Sequence, residues 1–197
     1  MNFETLFPII VMGVCLGFGL AMDAFSVSLA NGLNEPCMRK GKMTVVAGTF
    51  AVFQFLMPLV GWICVSTVAR YFTFFQTAVP YIALVLLCYI GGKMLIESIK
   101  EGDKECCEMS PVKVGALLVQ GIATSIDALS VGFTISDYNF IEALLACVII
   151  GVLTFFICFA GLYIGKKAGT KLSGKAGILG GSILIFIGLE IFITSFF

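Results

Sequence analysis

Asp23 and Asp127 lie inside long apolar runs and share their local setting. Ala21-Met22-Asp23-Ala24-Phe25-Ser26-Val27 returns 104 positions later as Ser125-Ile126-Asp127-Ala128-Leu129-Ser130-Val131. A carboxylate near the middle of a lipid-spanning helix costs roughly 3 kcal/mol to insert. A chain that carries this cost twice, in matched surroundings, is expected to use both groups together. Two carboxylates balance the charge of a divalent ion, which is otherwise too costly to hold away from water. The motifs therefore point to a cation handled within a membrane.

The neighbouring polar residues extend that site. On a helix turning 100° per residue, Gln120, Thr124, Asp127, Ser130 and Thr134 all fall within about 60° of Asp127. The first run adds Ser26, with Asn31 near the edge of the same face; the second adds Gln54, and the fifth Thr154. The candidate metal ligands are Asp23, Asp127, Ser26, Ser130, Gln54, Thr124 and Asn31, and Glu190 is a candidate for proton coupling. All offer oxygen. With no His in the chain, such a set suits Mg²⁺, Mn²⁺ or Ca²⁺ better than zinc or copper. Plainer roles compete: Ser and Thr can bond to their own helix carbonyls, and Gln54 and Gln120 can join helices. Lys93 and Glu97, four apart, can form an ion pair. Pro58 frees a backbone carbonyl, as a ligand or as a simple kink.

The elements that must position these groups are membrane helices. The chain of 197 residues is 59% hydrophobic and 12% charged, with mean hydropathy +1.07. Apolar runs at about 8–31, 43–68, 78–100, 112–136, 141–165 and 177–196 are each long enough to cross a bilayer of roughly 30 Å. The expected fold is an all-α membrane protein of six transmembrane helices in a single integral domain. Residues 8–100 and 112–197 form two halves around an acidic loop at 101–111. Phe55 and Gly61 correspond to Phe155 and Gly161, and Tyr89-Ile90-Gly91-Gly92-Lys93 to Phe186-Ile187-Gly188-Leu189-Glu190. Three spans per half is an odd number, so the halves enter the bilayer in opposite senses, as inverted-topology three-helix repeats. In transporters of this build the substrate lies near the midplane, where the repeats meet.

Charge sets the orientation. Arg39, Lys40, Lys42, Lys100, Lys104, Lys113, Lys166, Lys167, Lys171 and Lys175 all fall in or beside alternate loops. The positive-inside rule then puts those loops in the cytoplasm and both termini outside. The N-terminus lacks a basic stretch and a small-residue cleavage site, so the first run reads as a retained helix. Of eight cysteines, most lie in apolar runs as small hydrophobes. Cys37, Cys106 and Cys107 fall in cytoplasmic loops, where thiols stay reduced. Neither a catalytic residue nor a resident cofactor is expected, and the expected partners are the bilayer and ions, not nucleic acid.

With the paired Asp motifs, Met57-Pro58-Leu59-Val60-Gly61-Trp62, Ile90-Gly91-Gly92-Lys93-Met94 and Ala123-Thr124-Ser125-Ile126-Asp127-Ala128 in view, the chain resembles the bacterial manganese efflux pump family MntP. The resemblance spans all six runs. It implies export of Mn²⁺ across the plasma membrane, distant kinship with lysine-exporter-type transporters, and essential roles at Asp23 and Asp127. It also implies that the positions of Gln54 and Glu190 alternate between Gln and Glu. The residues alone do not pick Mn²⁺ over other divalent ions. Moving a divalent ion out of a negative cytoplasm costs roughly 4.6 kcal/mol per 100 mV. The chain has no nucleotide-binding Gly-Lys-Thr loop, so exchange for protons is the expected coupling. Export of another divalent cation or a small solute such as an amino acid is the alternative, followed by a membrane metal sensor and a membrane-embedded enzyme. An amino-acid site would need a fixed cation, and only off-centre Lys93 could serve.

Overall fold

The computed structural model describes residues 3–67, 114–171 and 176–194 and, between them, 81, 84, 85, 88–93, 95, 96 and 99. The acidic loop at 101–111, Arg70, and the side chains of Glu97 and Glu190 lie outside the described residues. The elements are α1 (Phe3–Asn34), α2 (Lys40–Thr67), α3 (Val114–Thr124), α4 (Ile126–Thr134), α5 (Phe140–Lys171) and α6 (Ala176–Thr194), with no strand among the described residues.

Among the described residues, three stretches are long and apolar enough to cross a membrane: Leu6–Asn34, Lys40–Cys64 and Phe140–Thr170. The helices α3 and α4 pass the same test only together, as a pair bent by 41°, the form of a broken span or a re-entrant loop. The expected run at 112–136 is not one continuous helix: it breaks at Ser125. The cause is local. The Ser125 hydroxyl donates to the Gly121 carbonyl at 2.6 Å and the Thr124 hydroxyl to that of Gln120 at 2.9 Å. Consecutive back-bonds of this kind bend a helix, and the Ser125 N–H turns to Ile122 O at 3.1 Å.

Other boundaries follow from sequence. Pro36 stops α1, because proline disfavours helix at the residue before it. Asn139 opens α5, and Glu142 reaches back to accept the Asn139 N–H at 3.0 Å, one half of a capping box. Pro58 does not interrupt α2. Cys37 is disulfide-bonded, against the expectation of a reduced thiol. That expectation came from compartment alone, which carries no information on cysteine pairing.

Membrane helices have little hydrophobic drive to associate, so small residues set the contacts. A side chain at Gly165 would strike the Leu29 carbonyl and Gly32, and one at Gly17 the backbone of Ile150. Contacts at 17 with 150 and at 32 with 165 mean that α1 and α5 run parallel. Similarly, Gly121 faces Phe53 while Gly61 and Gly132 press backbone on backbone, so α2 runs parallel to the α3–α4 pair. Val45, Val52, Leu56 and Val60 line an outer apolar stripe on α2, and Val148, Val152, Phe156 and Tyr163 one on α5. Such stripes suit lipid.

Two polar fastenings hold the ends. Lys166 at the end of α5 donates to the Met38 carbonyl at 2.7 Å, beside the Lys42–Glu35 ion pair at 2.6 Å. At the opposite end the Trp62 indole N–H donates to the Tyr138 carbonyl at 3.1 Å.

Candidate functional site

Gln54 organises the centre. It is fully buried on α2, and its amide nitrogen donates both to the Leu20 carbonyl of α1 at 3.0 Å and to the Thr124 carbonyl of α3 at 3.2 Å. Leu20 stands three residues before Asp23, and Thr124 three before Asp127. One amide group thus ties together the two backbone segments that carry the aspartates. Asp23 and Asp127 are close enough to interact electrostatically. Asp23 is half-buried, while Asp127 is exposed.

The remaining candidates divide. Asp127 stands in the first turn of α4, where one carboxylate oxygen accepts the Ala128 N–H at 2.9 Å. A helix start offers unpaired N–H groups and favours negative charge there. The break at Ser125 therefore creates the helix end on which Asp127 sits. Ser26 donates to its own helix at the Met22 carbonyl, 3.1 Å, and Thr124 does likewise toward Gln120, which is the plainer role weighed for such hydroxyls. Ser130 is exposed. Asn31 lies eight residues beyond Asp23, about 12 Å along the helix, and donates to the Gln120 side-chain oxygen at 2.8 Å. The structure brings Asp23, Asp127, Gln54 and Thr124 to one junction and leaves Asn31 apart. Glu190 belongs to α6, and its side chain is outside the described residues.

Among the described residues, three buried side-chain oxygens lack a hydrogen-bond partner: Gln54 Oε1, Thr154 Oγ1 and Ser28 Oγ. An unmade bond of this sort costs about 1–3 kcal/mol. Gln54 Oε1 is the telling one, because the same side chain spends its nitrogen on the aspartate-bearing segments. A cation there would satisfy it. Ser28, absent from the sequence-based candidates, lies beside the Cys158 thiol; five residues past Asp23, it stands about 140° around the helix, so the polar stripe gave no signal for it. No group of three or more His, Cys, Asp or Glu side chains gathers among the described residues. A cation held here would combine two carboxylates with amide, hydroxyl or backbone oxygens, a hard donor set suited to Mg²⁺, Ca²⁺ or Mn²⁺.

A family model described as "Mntp: Putative manganese efflux pump" matches residues 37–192. Curated relatives carry the name "Putative manganese efflux pump MntP". One, from Ruminiclostridium cellulolyticum, is 40% identical over 187 residues, 93% of this chain and 95% of its own length. Another, from Methanobrevibacter smithii, is 40% identical over 90% of this chain and 94% of its own. A third, from Gloeothece citriformis, is 42% identical over 89% and 90%. No solved structure matches.

Proposed function

This chain belongs to the MntP family of manganese efflux pumps, a family of transporters and not of enzymes, and we propose that it exports Mn²⁺ from the cytoplasm in exchange for protons at the Asp23–Asp127 pair. The observation that carries the site is Gln54, bonded at once to Leu20 and Thr124 with its own oxygen unmatched. Bound Mn²⁺ would take that oxygen and both carboxylates, its charge balanced by the pair. A carboxylate withdrawn from water is easier to neutralise with a proton than to leave charged. Protons therefore occupy the pair when the ion has left. Mn²⁺ loads from the cytoplasm and displaces protons; protons load from outside and displace Mn²⁺.

The alternating access this needs comes from two inverted repeats of three spans. Parallel packing of α2 with α4 requires an odd number of crossings between them, and the apolar run at 78–100 supplies one. Several contacts relate positions 104 apart in the first and fourth spans and 100 apart in the second and fifth. Gln54 bonds Leu20 and Thr124 alike. Gly61 presses on the Leu129 carbonyl and Gly161 on that of Phe25, and Gly151 meets Ala51. The basic loops favour both termini outside.

Proteoliposomes carrying a pH gradient test the exchange, and the metal content of cells, element by element, tests the cargo. Expected are Mn²⁺ flux that follows the proton gradient and cells that lose manganese before other divalent metals. Flux indifferent to pH would sink the exchange. Equal retention of every divalent metal with and without the two aspartates would sink the cargo and the site.

A further inference from the structure

The two ends of the pathway are closed by unlike chemistry. Toward the C-terminal end of α1, the way between α1 and α3 is shut by Asn31 and Gln120, 2% and 1% exposed and hydrogen-bonded at 2.8 Å. The 104-residue relation carries Asn31 to Ile135 and Gln120 to Leu16. Ile135 is fully buried in an apolar cluster with Leu20 and Val131, and Leu16 packs against that cluster. The same pair of scaffold positions holds two amides at one end and two aliphatic side chains at the other.

We infer that the Asn31–Gln120 pair is the cytoplasmic gate of the cation path, and that its amide oxygens replace water on the entering ion. This rests on the repeat and the aspartate site proposed above. Parting two buried amides leaves polar groups unmatched unless something takes their place. A hydrated divalent cation does so, because amide oxygens are natural ligands for a hard ion losing its water. Gln120 and Thr124 are one helical turn apart and linked through the Thr124 hydroxyl, and Gln54 meets Thr124 in turn. Oxygens are therefore spaced from the gate to the aspartates. Parting Leu16 from Ile135 instead exposes apolar surface that an ion cannot satisfy. External cations are held back there. The gates set rates from each side, while the gradients still set the net direction.

The test uses the full chain, oriented in proteoliposomes, with Mn²⁺ as the probe. Gln120→Leu copies the apolar end. It should slow Mn²⁺ entry from the cytoplasmic face by about tenfold or more, the scale of one unmade buried hydrogen bond. Equilibrium Mn²⁺ binding by the detergent-purified protein should stay within about twofold. The double change Leu16→Gln with Ile135→Asn transplants the amides to the other end and should speed Mn²⁺ entry from outside, a gain that misfolding does not produce. Wild-type rates in Gln120→Leu would overturn the gate, and so would loss of binding together with transport. A folded double variant without faster outside entry would do the same. If the double variant is not recovered, Gln120→Leu decides alone. Asp23→Asn separates the two readings: retained Mn²⁺ binding there refutes the aspartate site, whereas the gate is judged by the entry rates.

Discussion

Replacing Gln54 by leucine separates what this side chain does for folding from what it does for the ion. The substitution removes two hydrogen bonds, at 3.0 and 3.2 Å, each worth about 0.5–1.5 kcal/mol net. It also removes the unmatched Oε1, recovering about 1–3 kcal/mol of desolvation cost. The two effects nearly cancel. The metal-free variant should keep its stability to within about 1 kcal/mol, or roughly 2–4 °C in melting temperature for a chain of this size. The ion-bound state has no such compensation. At Mn²⁺ one hundred times the wild-type Kd, binding stabilises the protein by about 2.7 kcal/mol. A tenfold weaker variant at the same concentration gains only about 1.4 kcal/mol. Thermal unfolding of the purified protein with and without Mn²⁺ reads both numbers. Equal Mn²⁺ stabilisation of variant and wild type would refute the oxygen as a ligand. A metal-free variant weakened by more than about 3 kcal/mol would show instead that the clamp is structural.

Asp23→Asn and Asp127→Asn should each abolish Mn²⁺ efflux while leaving the metal-free protein about as stable, since a neutral amide stands in for the protonated carboxyl of the ion-free pair; transport with thermal melts checks both, and either variant exporting at the wild-type rate sinks the paired site. Gly61→Ala should destabilise by about 1–3 kcal/mol, because its methyl meets the Leu129 carbonyl and overpacking of this kind has that cost. Gly19→Ala, with open space around it, should be neutral or stabilising by up to about 1 kcal/mol; equal effects in denaturation would contradict the packing. Trp62→Phe keeps a ring beside Phe140, 6.0 Å away, and loses only the bond to Tyr138, so it should cost about 1 kcal/mol and be visible as a small drop in melting temperature.

Both aspartates and the apolar helices were legible because each departs from a strong rule: charge avoids lipid, and spans need length. Gln54 was legible as a polar residue in an apolar run, but its partners were not. They are carbonyls on two other helices, and backbone acceptors leave no mark in sequence. The break at Ser125 was hidden for a related reason. Thr124 reads as part of a polar stripe and Ser125 as part of the repeated Asp motif, and only coordinates show both hydroxyls turned back, onto Gln120 and Gly121. Asn31 is a similar case. Helical periodicity puts it on the face of Asp23 without saying that eight residues carry it to another partner. The Cys37 disulfide is likewise a long-range pairing that no local pattern encodes.

The proposed symmetry also accounts for a difference between the halves at their crossing. Where α2 and α5 cross, Gly151 meets the Ala51 carbonyl and the Phe55 side chain, so related positions touch and the axis relating the halves passes between them. Gln54 and Thr154 stand three residues beyond that crossing, both fully buried and both with an unmatched oxygen. Only one long side chain fits at such an axis, because a second would occupy the same space. Gln54 fills it and reaches the Leu20 and Thr124 carbonyls, and its counterpart is the shorter Thr154. Nothing in the axis itself prefers α2 as the donor. The exchange Gln54→Thr with Thr154→Gln should therefore rebuild the clamp from α5, restoring Mn²⁺ transport that Gln54→Thr alone loses. Flux measured for the single and double variants at matched expression decides it: a double variant as inactive as the single one would mean that the two sites are not related by the proposed axis.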